Sequence, residues 1–137
     1  MSGKSTARIH RDRRALRERG QGLIEFVLVL PLLGIIILAI VQFGVLYNNY
    51  ETLTNATRAG ARVAAVSSTS SCPGTTEQSV RDASYGLDTS KLAVSVPCPW
   101  TTGSQLSVTA TYPYSIDLMG LVVKSGTLTS TTKERHE

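Results

Sequence analysis

The longest apolar block of the chain lies near its N-terminal end. From Leu23 to Tyr47 the only charged side chain is Glu25, and the uncharged run 26–47 has 22 residues. As an α-helix, a run of this length rises about 33 Å, which matches the hydrocarbon core of a bilayer. Backbone groups in lipid must be hydrogen-bonded within their own segment, so the pattern predicts one transmembrane helix over 26–47.

The helical period continues beyond the apolar block. Residues 48–66 contain no proline and a single glycine, and a series of positions that begins at Tyr47, where an outer aromatic belt is expected, recurs at three- and four-residue steps. These recurring positions are Tyr47, Tyr50, Leu53 or Thr54, Thr57, Gly60 or Ala61, and Ala64. We therefore expect one long helix over 21–66, with a lipid-facing first half and an amphipathic second half rich in small residues.

Residues 67–137 follow shorter patterns. After a polar loop, Thr75-x-x-Gln78 has the pattern of a capping box, which predicts a short helix that Gly86 ends. Alternating apolar positions then predict three strands, and turn residues separate them. The predicted strands lie around 92–96, 106–114 and 126–132, with 116–123 as the second connection.

The predicted fold class is α+β. It consists of a long N-terminal transmembrane helix that extends out of the membrane, followed by a small extracytoplasmic domain with a short helix and an antiparallel sheet. The corresponding divisions of the chain are a basic leader over 1–20, the helix over 21–66, and the small domain over 67–137.

Charge gives this arrangement a direction. Residues 1–20 hold seven of the fourteen Lys and Arg residues against two acidic ones, and no further basic residue occurs until Arg58. By the positive-inside rule, the N-terminus is cytoplasmic and the C-terminus extracytoplasmic. A nucleic-acid-binding domain would instead spread its basic groups over a folded face, so we expect no nucleic-acid partner.

The two cysteines, Cys72 and Cys98, both follow the apolar block. An even pair in an extracytoplasmic region favours a disulfide, with two unpaired thiols as the alternative. A domain of about 70 residues commonly needs such a covalent link.

The most informative motif is RERGQGLIEFVLVLPLL at 17–33. A glycine ends the basic stretch, and Glu25 then stands at the start of an apolar helix, where a carboxylate is costly without a partner. Further along, QFG at 42–44 and NATRAGAR at 55–62 complete the pattern.

With these motifs, residues 20–62 or so resemble the TadE-like family of pilin-like minor components of tight-adherence (Flp/Tad) pilus systems. The resemblance implies a class III signal peptide, which a prepilin peptidase cleaves between Gly20 and Gln21. It also implies that Glu25 and Phe26 dock on neighbouring subunits. The chain departs from the family at Gln42, where an acidic residue is common.

Several residues have more than one interpretation. Glu25 is either this docking group or a simple interfacial carboxylate. Gly44, Gly60 and Ala61 form either a helix interface with another subunit or a surface for the chain's own sheet. Trp100 and Tyr112 are expected in the core or at the membrane surface.

The sequence predicts a structural protein rather than an enzyme. It has no glycine-rich phosphate loop and no metal-ligand cluster, and His136 lies in what the sequence suggests is a polar tail. We expect no cofactor, no metal and no small-molecule substrate. The expected partners are the prepilin peptidase, other pilin-like subunits, pilus assembly platform proteins and the lipid bilayer of the inner membrane. The alternative is an uncleaved, single-pass envelope protein with an extracytoplasmic binding domain.

Overall fold

The structure is a computed structural model that describes residues 6–68, 71–118 and 120–137, with side chains described from Gly22 onward. In chain order it contains helix α1 (Thr6–Val66), helix α2 (Gly74–Ala83), a 3-10 turn (Thr89–Lys91), and strands β1 (Ala93–Ser95), β2 (Gln105–Leu118) and β3 (Leu121–Arg135). The strands form one antiparallel sheet in the order β1-β2-β3. This confirms the predicted fold class.

Helix α1 begins earlier than the sequence predicted. Its backbone is helical from Thr6, so the helix includes most of the basic leader predicted over 1–20. Residues 6–20 contain six arginines and two alanines, which are strong helix formers, and no proline. Pro31 lies inside the helix without ending it.

The chain divides into two compact units, residues 1–40 and 41–137. The first unit is helical from Thr6 onward, and nearly all of its described side chains are exposed. The second unit combines the C-terminal part of α1 with everything that follows. This unit includes the second half of α1, because that part of the helix supplies one side of the core.

The core of the second unit lies between α1, α2 and the sheet. The fully buried positions of α1 recur at three- and four-residue steps, as an amphipathic helix requires, and they are Leu53, Ala56, Thr57, Gly60, Ala61 and Ala64. From β2, the alternating residues Leu106, Val108 and Ala110 face the same core, as does Val80 of α2. Tyr47 and Tyr50, with which the sequence series begins, are exposed.

Strands β2 and β3 form a long hairpin whose register runs from Gln105 opposite Arg135 to Leu118 opposite Leu121. A register shift interrupts the ladder between Ile116 and Asp117. The prediction of 116–123 as an irregular connection is wrong, because both strands continue through most of it. Gly120, with φ of 85°, takes the left-handed conformation that the tight turn requires.

The expected capping box is also absent. Pro73 occupies the N-cap position of α2 and makes no side-chain capping bond. The Thr75 hydroxyl donates instead to the Ser71 carbonyl, and the Gln78 amide donates to Asp82 one turn further on. The N-cap residue of α2 is therefore Pro73, two residues before Thr75, where the capping-box pattern placed it.

The C-terminal residues are packed on the domain rather than forming a polar tail. His136 is only 8% exposed, its Nε2 lies 3.0 Å from the Ser67 carbonyl, and its ring lies 5.7 Å from that of buried Trp100. The Glu137 amide donates to the Ala65 carbonyl. The end of β3 is thereby fixed to the C-terminal end of α1.

Candidate functional site

The predicted processing site lies in the N-terminal part of α1. The backbone is helical at both Gly20 and Gln21, while their side chains lie outside the described part of the structure. The proposed cleavage between these residues stays a prediction, and so does the role of the preceding basic stretch.

Glu25 and Phe26 follow on the same helix. Both side chains are exposed, Phe26 with 62% of its surface accessible. Among the described side chains, none forms a hydrogen bond or an ion pair with Glu25, and the ion pair that the described residues do contain joins Lys91 to Asp88. As far as the described side chains extend, the Glu25 carboxylate is therefore available to a group from outside.

The apolar residues around these positions form an exposed helical surface. The segment Gly22–Val66 contains an 18-residue window with a mean hydropathy of 3.0, and none of that window is buried. Soluble monomers rarely expose a continuous apolar surface of this size. Length and composition make this segment suitable for crossing a membrane, as the sequence predicted for 26–47.

The small residues of the predicted helix interface have different surroundings. A Cβ atom added at Gly60 would collide with the Cγ2 atom of Val80, and Ala61 is fully buried. At Gly44 nothing lies within 4 Å of an added Cβ atom. Helix α2 of the same chain thus occupies the space beside Gly60, whereas no described atom occupies the space beside Gly44.

Cys72 and Cys98 are brought together from the loop before α2 and the loop after β1. Their Cα atoms lie 6.3 Å apart, within the range that disulfides require. The positions of these residues therefore satisfy the geometric condition for the predicted covalent link.

The structure adds a contact that sequence reasoning missed. The Gln42 Nε2 atom donates to the main-chain carbonyl of Asp117 at 2.9 Å, although the residues are 75 positions apart. Val45, Leu46 and Asn49 continue the α1 side of the adjoining cleft, which 112–115 of β2 and Lys91 complete. The departure from the family pattern at Gln42 was the one sequence signal that pointed to this position.

In the described parts of the chain, no three His, Cys, Asp or Glu residues come close enough to hold a metal ion. The pKa of Asp88 is lowered because its carboxylate accepts hydrogen bonds from the side chain and backbone of Ser90, beside Lys91. This carboxylate begins the 3-10 turn and is exposed, so its bonds have a local structural role.

Fold and site together define an α+β protein with one exposed, membrane-compatible N-terminal helix and a small sheet domain. Residues 20–62, nearly a third of the chain, match the family model described as TadE-like protein. This confirms the resemblance on which the sequence motifs were interpreted. No curated protein and no solved structure gives a significant match to the chain.

Proposed function

We propose that the chain is a TadE-like minor pilin or pseudopilin, which a prepilin peptidase processes and which a tight-adherence (Flp/Tad) pilus needs for assembly. The observation that carries the proposal is the family match over residues 20–62. It begins at the proposed cleavage site, includes Glu25, and continues through the exposed apolar helix. The role is structural, and we propose no catalytic activity for this chain.

The exposed surface of α1 supports storage of the subunit in the bilayer before assembly. Between residues 23 and 45 its large apolar side chains are all at least 44% exposed, so lipid can solvate them. In a fibre, the same surface packs against the helices of other subunits, which replace the lipid. One apolar surface thus serves both states.

Cleavage requires a local change of the helix at Gly20. Proteases act on extended backbone, and α1 is helical on both sides of this residue. Gly20 and Gly22 each weaken the helix by roughly 0.5–1 kcal/mol relative to alanine, which favours local unwinding next to the bond. Removal of residues 1–20 then takes away seven basic side chains and leaves the Gln21 amine as a new positive charge.

We assign Glu25 the role of receiving such a positive charge from a neighbouring subunit. Its carboxylate lies at the start of the apolar segment, and none of the described side chains of its own chain bonds to it. Pairing with the Gln21 amine of a neighbour would offset the cost of placing both charges in an apolar environment. Phe26 beside it would add apolar contact with the same neighbour.

The proposed location is the inner membrane, with the N-terminus in the cytoplasm. The asymmetry of basic residues about the apolar block supports this orientation. The Cys72–Cys98 pair supports an oxidising, extracytoplasmic environment for the small domain. The prepilin peptidase, other pilin-like subunits and assembly platform proteins are the proposed partners.

Glu25→Ala, expressed beside the other pilus components, tests the docking role. We expect this variant to insert into the membrane and to lose its leader, because the substituted residue lies five positions after the cleaved bond. Cells that express it should nevertheless lack pili in electron micrographs. Glu51→Ala is the matched control, since Glu51 is an exposed carboxylate further along α1, and it should piliate normally. Normal pili on cells with Glu25→Ala would show that Glu25 is only an interfacial carboxylate.

The second candidate is an uncleaved, membrane-anchored envelope protein with an extracytoplasmic binding domain. The helix and the sheet domain fit this alternative as well, whereas the GQGLIEF motif at 20–26 favours the pilin-like function. The two functions differ in the N-terminus of the mature chain.

A further inference from the structure

The β2–β3 hairpin ends in an apolar tip, which we define by Leu118, Leu121, Val122 and Val123. The last three are 74%, 62% and 62% exposed. In the described part of the chain after Val66, the other large apolar side chain with such exposure is Tyr85. Further along β3 the exposed positions are polar, as at Thr127, Thr129, Thr131 and Lys133. Exposed apolar surface in the sheet is therefore concentrated at one end.

That end lies beside the apolar segment of α1. The C-terminal end of the hairpin is fixed near Ala65 by the Glu137 amide, and the other end meets Gln42 through the Asp117 carbonyl. Between Gln42 and Ala65 the helix rises about 35 Å, and the chain from Lys124 to His136 covers about 40 Å as a strand. The hairpin consequently runs alongside α1, with its tip beyond Asp117.

The helix at the level of Gln42 has the surface of a membrane segment. Val41, Phe43 and Val45 are 59%, 67% and 55% exposed. All three lie within the uncharged run 26–47, for which the sequence predicts a position in the bilayer. An apolar hairpin tip that reaches this level meets lipid rather than water.

We propose that the hairpin tip is a second membrane-binding element, which enters the leaflet on the domain's side of the bilayer and contacts lipid acyl chains. This rests on the proposed membrane-spanning role of α1. The occupant is lipid rather than another protein, because the tip adjoins Asp117, which contacts α1 at Gln42 among the exposed apolar residues Val41 and Phe43. The described residues of the tip also expose no polar side chain between its apolar ones.

The residues that flank the tip fit this position. Lys124 follows Val123 directly, and its long apolar stem allows the ammonium group to reach lipid phosphates. Asp117 precedes Leu118 and limits how deeply the strand pair enters. The side-chain amide of Gln42 donates to the Asp117 carbonyl, so these two polar groups pair with each other in the apolar region.

A polarity-sensitive fluorophore on Val122→Cys tests the proposal in the full-length chain, reconstituted at one copy per lipid nanodisc. The structure pairs Cys72 with Cys98, so in protein kept free of reductant the introduced thiol alone takes the label. We expect emission shifted to shorter wavelength, loss of emission with lipids that carry a nitroxide on the acyl chain, and protection from aqueous iodide. Val123→Cys is the second labelling site and should behave in the same way.

Two control positions make the outcomes distinguishable. Ile36→Cys, on the exposed apolar surface of α1, should be quenched by the lipid nitroxide, and Lys133→Cys, near the other end of β3, should be quenched by iodide alone. If Ile36 is quenched by lipid and the tip labels behave like Lys133, the tip does not bind the membrane, although the helix does. Tip labels shielded from both quenchers would mean protein contact and would also overturn the proposal. An Ile36 label that lipid does not quench would contradict the membrane-spanning role itself.

Discussion

The side-chain amide of Gln42 donates a hydrogen bond to the main-chain carbonyl of Asp117, at 2.9 Å, and thereby joins the apolar part of α1 to the far end of the β2–β3 hairpin. The register of the ladder shifts next to this contact, because Ile116 lies opposite Lys124 and Asp117 lies opposite Val122. The hydrogen bond to the Asp117 carbonyl gives a structural reason for a polar residue at position 42 within an apolar run.

Replacing Gln42 with leucine should loosen this end of the hairpin. A hydrogen bond of this kind contributes about 1 kcal/mol, so local opening should become roughly fivefold more frequent. Hydrogen–deuterium exchange of the backbone amides at 116–118 and 121–124 measures this effect. Phe43→Leu, at an exposed neighbouring position, should leave exchange unchanged. Equal exchange in wild type and Gln42→Leu would mean that the bond does not hold the hairpin.

The close approach of α1 and α2 at Gly60 predicts a loss of stability on adding one methyl group. Gly60→Ala gains about 1 kcal/mol of helix propensity, but its Cβ meets the buried, β-branched Val80, and overpacking costs about 1–3 kcal/mol. We expect net destabilisation of roughly 1 kcal/mol and a Tm lower by about 5 °C.

The matched control is Gly44→Ala, because nothing lies within 4 Å of an added Cβ atom there. It should keep or raise the Tm of the purified protein in the same detergent. A Gly60→Ala protein as stable as wild type would show that α2 moves easily away from α1. Thermal unfolding followed by near-ultraviolet circular dichroism distinguishes these results.

The Cys72–Cys98 pair should be oxidised in protein purified without reductant. Labelling under denaturing conditions should then detect no free thiol, and both thiols should react after reduction. Replacing both cysteines with serine should lower the free energy of unfolding by about 3–4 kcal/mol in the chain-entropy description of a loop of this length. Labelling of both residues before reduction would refute the link.

The orientation of the chain can be tested with reporter fusions. A periplasm-active reporter fused after Glu137 should be active, and the same reporter fused after Arg14 should be inactive. The reason is that seven basic residues precede the apolar block, whereas no basic residue follows it until Arg58. Activity in the reverse pattern would contradict both the orientation and the proposed access of the peptidase to Gly20.

Strong periodic patterns in the sequence predicted the long helix and the order of elements correctly. Local spacing alone was enough to recognise two features of the helix. These are the lipid-compatible run 26–47 and the buried series through Leu53, Thr57 and Ala64. At the start of this series Tyr47 and Tyr50 are exposed, whereas Leu46 and Asn49 line the cleft with β2. Spacing within one helix carries no information about which partner strand approaches it.

The hairpin and the C-terminus could not be predicted because their structure depends on distant partners. The residues around Leu121 formed an apolar run without clear alternation, and pairing with β2 is what makes them a strand. His136 is buried because Ser67 and Trp100 happen to lie beside it in the fold. For the candidate site, the motif around Gly20 and Glu25 was readable from sequence, whereas the Gln42–Asp117 contact joins residues 75 positions apart.

The N-terminus of the mature chain tests the central claim most directly. Intact-mass measurement and N-terminal peptide sequencing should be made on protein from cells with and without the prepilin peptidase, together with Gly20→Val as a variant with a β-branched residue at the cleaved bond. The account predicts a chain that begins at Gln21 when the peptidase is present, and a retained leader both in its absence and in Gly20→Val. A leader that remains on the wild-type chain in the presence of active peptidase would contradict the account.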